Sequence, residues 1–247
     1  MNENTVYEER IVAFVDILGF RSLIARTETD QALAENVLWI LDCVRGMRDE
    51  NRAGADPECD VVGRQITIFS DSVVISYPTY SPSCLFYAIL DIVHLQMTMF
   101  GNGFPMRGGI SLGEIHHRQD LAFGPAFISA YDLESGSAIY PRIVITEDTI
   151  RRGLTKNPVN IPQEEKKAVL GMLRRDSDEL YYVDFLNQRV DTDNDEEYVL
   201  LLNKARDMIM TGISSQDASI QQKYEWLKTK YNATVIRQKL EAFAPLV

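Results

Sequence analysis

The sequence predicts an α+β protein: a βαββαβ core, then further short strands and helices, then a purely helical C-terminal extension. Three observations predict it. Residues 11–15 form a short, uninterrupted apolar run, the mark of a strand buried on both faces. Apolar segments at residues 65–69 and 73–76 bracket Ser70, Asp71 and Ser72, three small polar residues suited to a hairpin tip. Beyond an acidic linker at residues 191–197, apolar residues recur only at helical spacing.

The first strand ends at Asp16, and residues 17–20 turn into a helix. Leu33, Val37, Ile40, Leu41 and Val44 keep helical spacing across residues 30–48, and residues 49–62 read as a polar loop. After the hairpin, residues 81–100 form a second helix opened by Ser81 and Pro82. Residues 105–115 are rich in glycine, which permits close backbone approach, and read as a strand pair. A helix at 126–135, a strand at 142–146, a short helix at 147–153, a helix at 163–174 and a strand at 181–185 follow. This alternation has no strict βαβ rhythm and contains a hairpin, so a ferredoxin-type sheet is favoured over a doubly wound one. The tail reads as two helices, residues 198–213 and 216–243.

Composition narrows the function classes. With 36 acidic against 25 basic residues and a net charge of −11, the chain lacks the basic footprint that nucleic-acid binding requires. No apolar run approaches the roughly 18 residues of a membrane span, and the acidic N-terminus is unlike a secretory signal. A cytoplasmic protein without a membrane partner is expected. Cys43, Cys59 and Cys84 share no CxxC spacing and read as packing residues.

Asp16 and Asp71 are the candidates for chemistry. In a βαββαβ sheet the first strand neighbours the hairpin, so two carboxylates remote in sequence can meet. Two carboxylates with substrate phosphates are a common magnesium site. Two such ions about 4 Å apart activate an attacking oxygen and neutralise a leaving phosphate. Backbone N–H groups entering the helix after Asp16 suit phosphate oxygens. The competing reading is that both aspartates are ordinary turn residues.

Five separated segments carry a resemblance. Phe14, Val15, Asp16, Ile17, Leu18, Gly19 and Phe20 resemble the first metal-binding segment of class III nucleotidyl cyclases. Residues 68–72 are similar to their second metal hairpin, with Ser70 where that family usually has Gly. Residues 108–114 resemble the next strand motif; Phe123, Gly124, Ala130, Leu133, Glu134 and Ser135 the dimerisation helix; residues 143–149 the strand and helix after it. The resemblance spans residues 11–185 and implies a catalytic domain over residues 1–190, with residues 191–247 as a helical extension.

It also implies a homodimer with the active site at its interface. Asp16, Asp71 and the Ile17 carbonyl would hold two divalent ions, Mg²⁺ or Mn²⁺. Backbone groups around Leu18, Gly19 and Phe20 would hold the triphosphate. The ribose 3′-hydroxyl would attack the α-phosphorus and pyrophosphate would leave.

Departures from the family pattern refine the expectation. The base-selecting pair falls on Thr67 and Leu121, which cannot read a purine in the family's manner. The transition-state Asn and Arg fall on Ile128 and Asp132. Replacement cations are Arg107, Arg118, Arg174 and Arg175; the last two also suit a helix C-terminus. Tyr131, beside the lost positions, is placed to narrow a nucleobase pocket. These departures are similar to those of the pyrimidine cyclases of bacterial Pycsar antiphage defence. That resemblance implies UTP, with CTP second, as substrate, cUMP or cCMP as product, and a separate effector protein that senses it. The alternatives are a purine cyclase with unfamiliar selectors and a degenerate nucleotide-binding or dimerisation module. Among the remaining residues, His116 and His117 read as a solvated loop, Trp39, Phe86 and Tyr87 as core, and Trp226 and Tyr231 as the docking face of a tail helix.

Overall fold

The computed structural model describes residues 6–50, 63–156, 162–189, 192, 194–240, 243 and 246. The core runs β1 (Glu8–Ile17), α1 (Phe20–Thr27), α2 (Gln31–Glu50), β2 (Gln65–Phe69), β3 (Ser72–Pro78), α3 (Cys84–Gly101) and β4 (Met106–Arg118). These strands lie in the order β2-β3-β1-β4, each antiparallel to its neighbours, which is the ferredoxin-type arrangement. β5 (Leu121–Phe123) folds back on β4, and α4 (Pro125–Ser137) follows. β6 (Ile143–Ile145) joins β4 in parallel, α5 (Glu147–Gly153) and α6 (Pro162–Gly171) intervene, and β7 (Leu173–Arg175) and β8 (Tyr181–Val183) complete the order β4-β6-β8-β7. α7 (Asp195–Ile213) and α8 (Ala218–Arg237) form the tail.

β1 explains itself from its sequence. Ile11, Ala13, Val15 and Ile17 face the main core with α2 and α3, while Val12 and Phe14 face a second cluster with Ala126 and Ala130 of α4. Burial on both faces is why the run is continuously apolar. The strand continues through Asp16 to Ile17, so Asp16 is a strand residue and not a residue of the following turn.

Other elements differ from the sequence expectation. Residues 105–115 form no strand pair: β4 is one strand of 13 residues. The helix expected to reach Arg174 stops at Gly171, and Arg174 and Arg175 belong to β7. Most of the loop expected at residues 49–62, with Cys59, lies outside the described residues, and α2 extends to Glu50. Trp39 and Tyr87 are not core residues, being 50% and 37% exposed.

α3 has 18 residues of mean hydropathy 1.4, long and apolar enough to cross a membrane by length and composition. The sequence reading missed this, because Asp91, His94 and Gln96 interrupt the run. Leu85, Ile89, Ile92, Val93 and Met99 of this helix are buried in the main core, whose apolar cluster also takes in Leu201, Ile209, Leu227 and Tyr231 of the tail helices.

Gly109 sets the distance between α4 and the sheet. A Cβ there would lie 2.3 Å from the Ala130 carbonyl oxygen and 2.5 Å from the Leu133 Cβ. Gly109→Ala is therefore expected to cost about 1–3 kcal/mol by overpacking, read as a lower denaturation midpoint in urea.

A polar clasp fastens α8 to the end of the β7–β8 hairpin. The buried Asp176 carboxylate accepts hydrogen bonds from Arg142 Nη1, Lys230 Nζ and Trp226 Nε1, each at 2.7 Å. Trp226 stacks on Tyr140 at 5.3 Å, and Arg142 also pairs with Asp178.

Candidate active site

The order β3-β1-β4 brings three loop-end residues into one row. Asp16 lies opposite Ser72 of β3 and Arg107 of β4, so these side chains share a face. The Ser72 hydroxyl donates to Asp16 Oδ1 at 3.2 Å. The Asp71 carboxylate, one residue before Ser72 at the hairpin tip, lies beside Asp16. Burial first, and then the Asp71 charge, push the Asp16 pKa up; the Ser72 hydrogen bond and Arg107 pull against them. The two carboxylates singled out in the sequence are thus neighbours. Ser70, the other tip residue, has φ 59°, the left-handed conformation that favours glycine.

The hairpin tip is tied to the end of β1, because the Ile17 N–H donates to the Asp71 carbonyl at 3.2 Å. In a strand, a residue's N–H and C=O point to the same side, so the Ile17 carbonyl faces that tip as well. The Leu18 N–H donates to the Pro105 carbonyl at 2.8 Å, which removes it from the expected phosphate cradle. Gly19 turns the chain at φ 78° into α1, and no side chain caps this helix. The N–H groups of Phe20 and the next residues therefore remain as first-turn donors.

Arg107 reaches toward both sides of the row. One Nη lies 3.6 Å from Asp16 Oδ2, and Nε lies 2.7 Å from Glu134 Oε1 of α4. The second contact is an ion pair by distance without hydrogen-bond alignment, and neither atom has a hydrogen-bond partner. Glu134 is 3% exposed; burial raises its pKa, against the pull of Arg107. Glu134 was not a site candidate in the sequence. Its signal was there in the spacing of Ala126, Ala130 and Glu134, all buried, which makes one sheet-facing ridge of α4.

Thr67 is committed elsewhere. It is 2% exposed, donates its hydroxyl to the Gln119 carbonyl at 2.8 Å, and lies 3.0 Å from His117 Nε2. A carbonyl only accepts, so the Thr67 oxygen must accept the His117 Nε2 proton. His117 Nδ1, 2.7 Å from Ser76 Oγ, then accepts from that hydroxyl, and Ser76 Oγ accepts from Arg10 Nε at 2.7 Å. Every group in this chain is satisfied with one histidine tautomer. Burial and then the Arg10 charge hold the His117 pKa down at about 3, so the ring is neutral. The solvated-loop expectation is thereby corrected: both histidines lie on β4, and His117 is 3% exposed. Thr67→Val is expected to cost about 1–3 kcal/mol, because it strands the buried His117 Nε2 donor, while leaving nucleotide preference unchanged. Urea denaturation and product analysis check the two halves.

The other expected residues are scattered over the same chain. Tyr131 is 47% exposed and packs edge-on to Phe14 at 5.4 Å, two positions from Asp16 on the same strand face. Leu121 on β5 and Ile128 on α4 are 57% and 58% exposed. Arg174 Nε pairs with the buried Asp184 at 3.2 Å, and its Nη1 donates to the Leu173 carbonyl at 2.7 Å. Arg174 and Arg175 sit on β7, four strand positions from β1, or about 19 Å. Within one chain they do not meet the carboxylates.

The donor set of the row is hard oxygen. Among the described residues no group of three or more His, Cys, Asp or Glu could hold a metal ion. Two adjacent carboxylates, kept together despite burial and mutual repulsion, still fit a magnesium-like ion that completes its shell with water and phosphate.

No protein-family model and no curated protein matches the chain. Solved structures do. The adenylyl cyclase CyaB from P. aeruginosa is 16% identical with a TM-score of 0.47, covering 72% of this chain and 94% of that one. A bacterial light-regulated adenylyl cyclase is 17% identical with a TM-score of 0.42, covering 80% and 98%. A class III adenylyl cyclase-like ATP-binding protein from Pseudomonas aeruginosa is 13% identical with a TM-score of 0.45, covering 88% of this chain and 49% of that one. With every one of these TM-scores below 0.5, the α+β core rests on its own strand order and register.

Proposed function

We propose that this chain is a nucleotide cyclase that converts UTP, or CTP, to the 3′,5′-cyclic monophosphate and pyrophosphate. The observation that carries the reading is the convergence of Asp16 and Asp71 at the end of β1, with a free helix start after them. In it, Asp16, Asp71 and the Ile17 carbonyl hold two divalent ions, Mg²⁺ or Mn²⁺. When bound, these supply charge neutralisation for the attacking 3′-oxygen and for the leaving pyrophosphate. The chain's own residues position the substrate. First-turn N–H groups from Phe20 onward donate to phosphate oxygens, Arg107 offers a guanidinium to the charge that develops at the α-phosphate, and the ribose is held with its 3′-oxygen in line.

Pyrimidine preference is supported by what surrounds the row. The Thr67 hydroxyl is saturated and Leu121 is apolar, so neither residue reads a purine edge. Tyr131 beside Phe14 narrows the space for a base. Tyr131→Ala is expected to shift the preference toward larger bases by about tenfold in relative kcat/KM, as a cavity the size of a ring fragment allows.

The catalytic unit in this proposal is residues 1–190, with residues 191–247 as a helical extension. It works as a cytoplasmic homodimer in which a partner supplies Arg174 and Arg175 to the triphosphate. The product is a second messenger for antiphage defence, sensed by a separate effector protein, with no nucleic-acid or membrane partner. The test is incubation of the purified chain with Mn²⁺ or Mg²⁺ and each of the four triphosphates, with mass spectrometry of products. A cyclic pyrimidine product supports the reading, and a cyclic purine product replaces it by a purine cyclase with other selectors. No product from any nucleotide replaces it by a non-catalytic nucleotide-binding module. Arg107 favours that second reading so far as it already neutralises Asp16.

A further inference from the structure

Arg107 occupies an unusual place. Its Nη end stands 3.6 Å from Asp16, and its Nε end is anchored at 2.7 Å to Glu134, whose side chain is 4% exposed. Glu134 cannot move away, because the missing Cβ of Gly109 lets α4 press directly on β4, with the Glu134 backbone N only 3.1 Å from where that Cβ would be. The guanidinium is therefore pinned at one end and free to turn at the other. Its free end faces the carboxylate oxygen that a divalent ion would need.

We propose that Arg107, braced by Glu134, is the resident counter-cation of Asp16 and makes divalent-ion binding depend on nucleotide. The inference rests on the two-ion reading given above. A metal ion and the guanidinium compete for Asp16: like charges a few ångströms apart repel, and the contact to Oδ2 is shared. A phosphate chain resolves the competition. Its oxygens match the guanidinium fork better than a single carboxylate oxygen at 3.6 Å does. Turning the Nη end from Asp16 to phosphate frees the carboxylate while Glu134 keeps Nε in place. The nucleotide thus unlocks the site that its own ions fill, and the chain without nucleotide holds ions weakly. Glu134 is a positioning residue here, acting through Arg107.

The test is Mn²⁺ binding by titration calorimetry on the full chain, without nucleotide. Arg107→Gln is expected to bind Mn²⁺ about tenfold more tightly than the unaltered chain, as removal of one nearby unit charge implies. Glu134→Gln is expected to bind it about threefold more weakly, because the released guanidinium closes on Asp16. Arg107→Gln leaves Glu134 buried without a cation, so the double variant Arg107→Gln, Glu134→Gln serves as the folded control. It is expected to bind more tightly than Glu134→Gln alone. Arg21→Gln, on the exposed first turn of α1, removes a cation that does not touch Asp16, and its affinity should change less than twofold.

Equal or weaker Mn²⁺ affinity in both chains that lack Arg107 overturns the proposal. So does an equal gain from Arg21→Gln, which would reduce the effect to net charge. If no chain binds Mn²⁺, the proposal also falls, and a product assay separates the causes. Cyclic product with Mn²⁺ and nucleotide leaves the two-ion reading standing without this role for Arg107, and no product removes both.

Discussion

Asp16→Asn or Asp71→Asn is expected to lower cyclic nucleotide formation about 10³-fold, the scale of losing one charge-stabilising group from a phosphoryl-transfer site. Asn keeps the shape of the carboxylate and the hydrogen bond from Ser72, so the sheet should survive. Stability then moves the opposite way to activity. The Asp16 pKa is raised in the folded chain, chiefly by burial and next by Asp71. A carboxyl whose folded pKa lies above its unfolded value favours folding only while protonated, and that contribution is lost as pH rises through the raised value. At neutral pH the ionised Asp16 therefore costs stability in the metal-free chain, and Asp16→Asn should raise its Tm. Added Mn²⁺ should raise the Tm of the unaltered chain by mass action and leave that of the variant unmoved. Thermal scans with and without Mn²⁺, beside the product assay, check both halves. A variant that loses activity and stability together would point to a structural role for these carboxylates.

The second large effect concerns Asp176. Three donors converge on this carboxylate at 2.7 Å, one from the loop before β6 and two from α8. Asp176→Ala leaves the guanidinium of Arg142, itself 1% exposed, and the Lys230 ammonium with one buried anion fewer. Removing one partner of a buried charge network typically costs about 3–5 kcal/mol. For a chain of this size that is a fall in Tm of roughly 10 °C. Lys230→Met in the same chain should recover part of the loss, and a double-mutant cycle measures how much. The clasp is also sensitive to acid. Burial works to raise the Asp176 pKa, but hydrogen bonds from Lys230, the Ser177 N–H and Trp226 outweigh it and the pKa is lowered. Its contribution is present above the unfolded carboxyl value of about 3.9 and is lost as pH falls through the lowered folded value. Acid unfolding of the unaltered chain below about pH 4 should therefore be blunted in Asp176→Ala, which has already lost the contact.

Much of the fold was legible because it rests on local periodicity. The apolar run of β1, the hairpin around Asp71 and the two tail helices carry their signal within a few residues. Arg174 misled because helical spacing in α6 continues past Gly171, and only pairing with β8 makes Leu173–Arg175 a strand. β4 misled because its glycines imitate a turn, whereas they serve contacts with β1 and α4 that no local pattern records. In the site, Asp16 and Asp71 could be found by asking which acidic residues the topology would bring together. The pairing of Glu134 with Arg107 and the Thr67–His117 link could not, since both are cross-element contacts; the helical spacing of Ala126, Ala130 and Glu134 marked only a buried ridge, and the Thr67 hydroxyl has partners about 50 positions away. Leu18 failed for the same reason, its N–H being claimed by Pro105.

The far margin of the sheet, at β7, is built against strand addition. β7 is only three residues long, and two of them are arginines, one held by Asp184 and one beside Glu179. A stranger strand adding there would have few rungs to pair with and two guanidinium groups to strip of water. Growth of the sheet into a longer ribbon is thus blocked on that side, which leaves β2, the strand at the opposite margin, as the edge with backbone groups open to pairing.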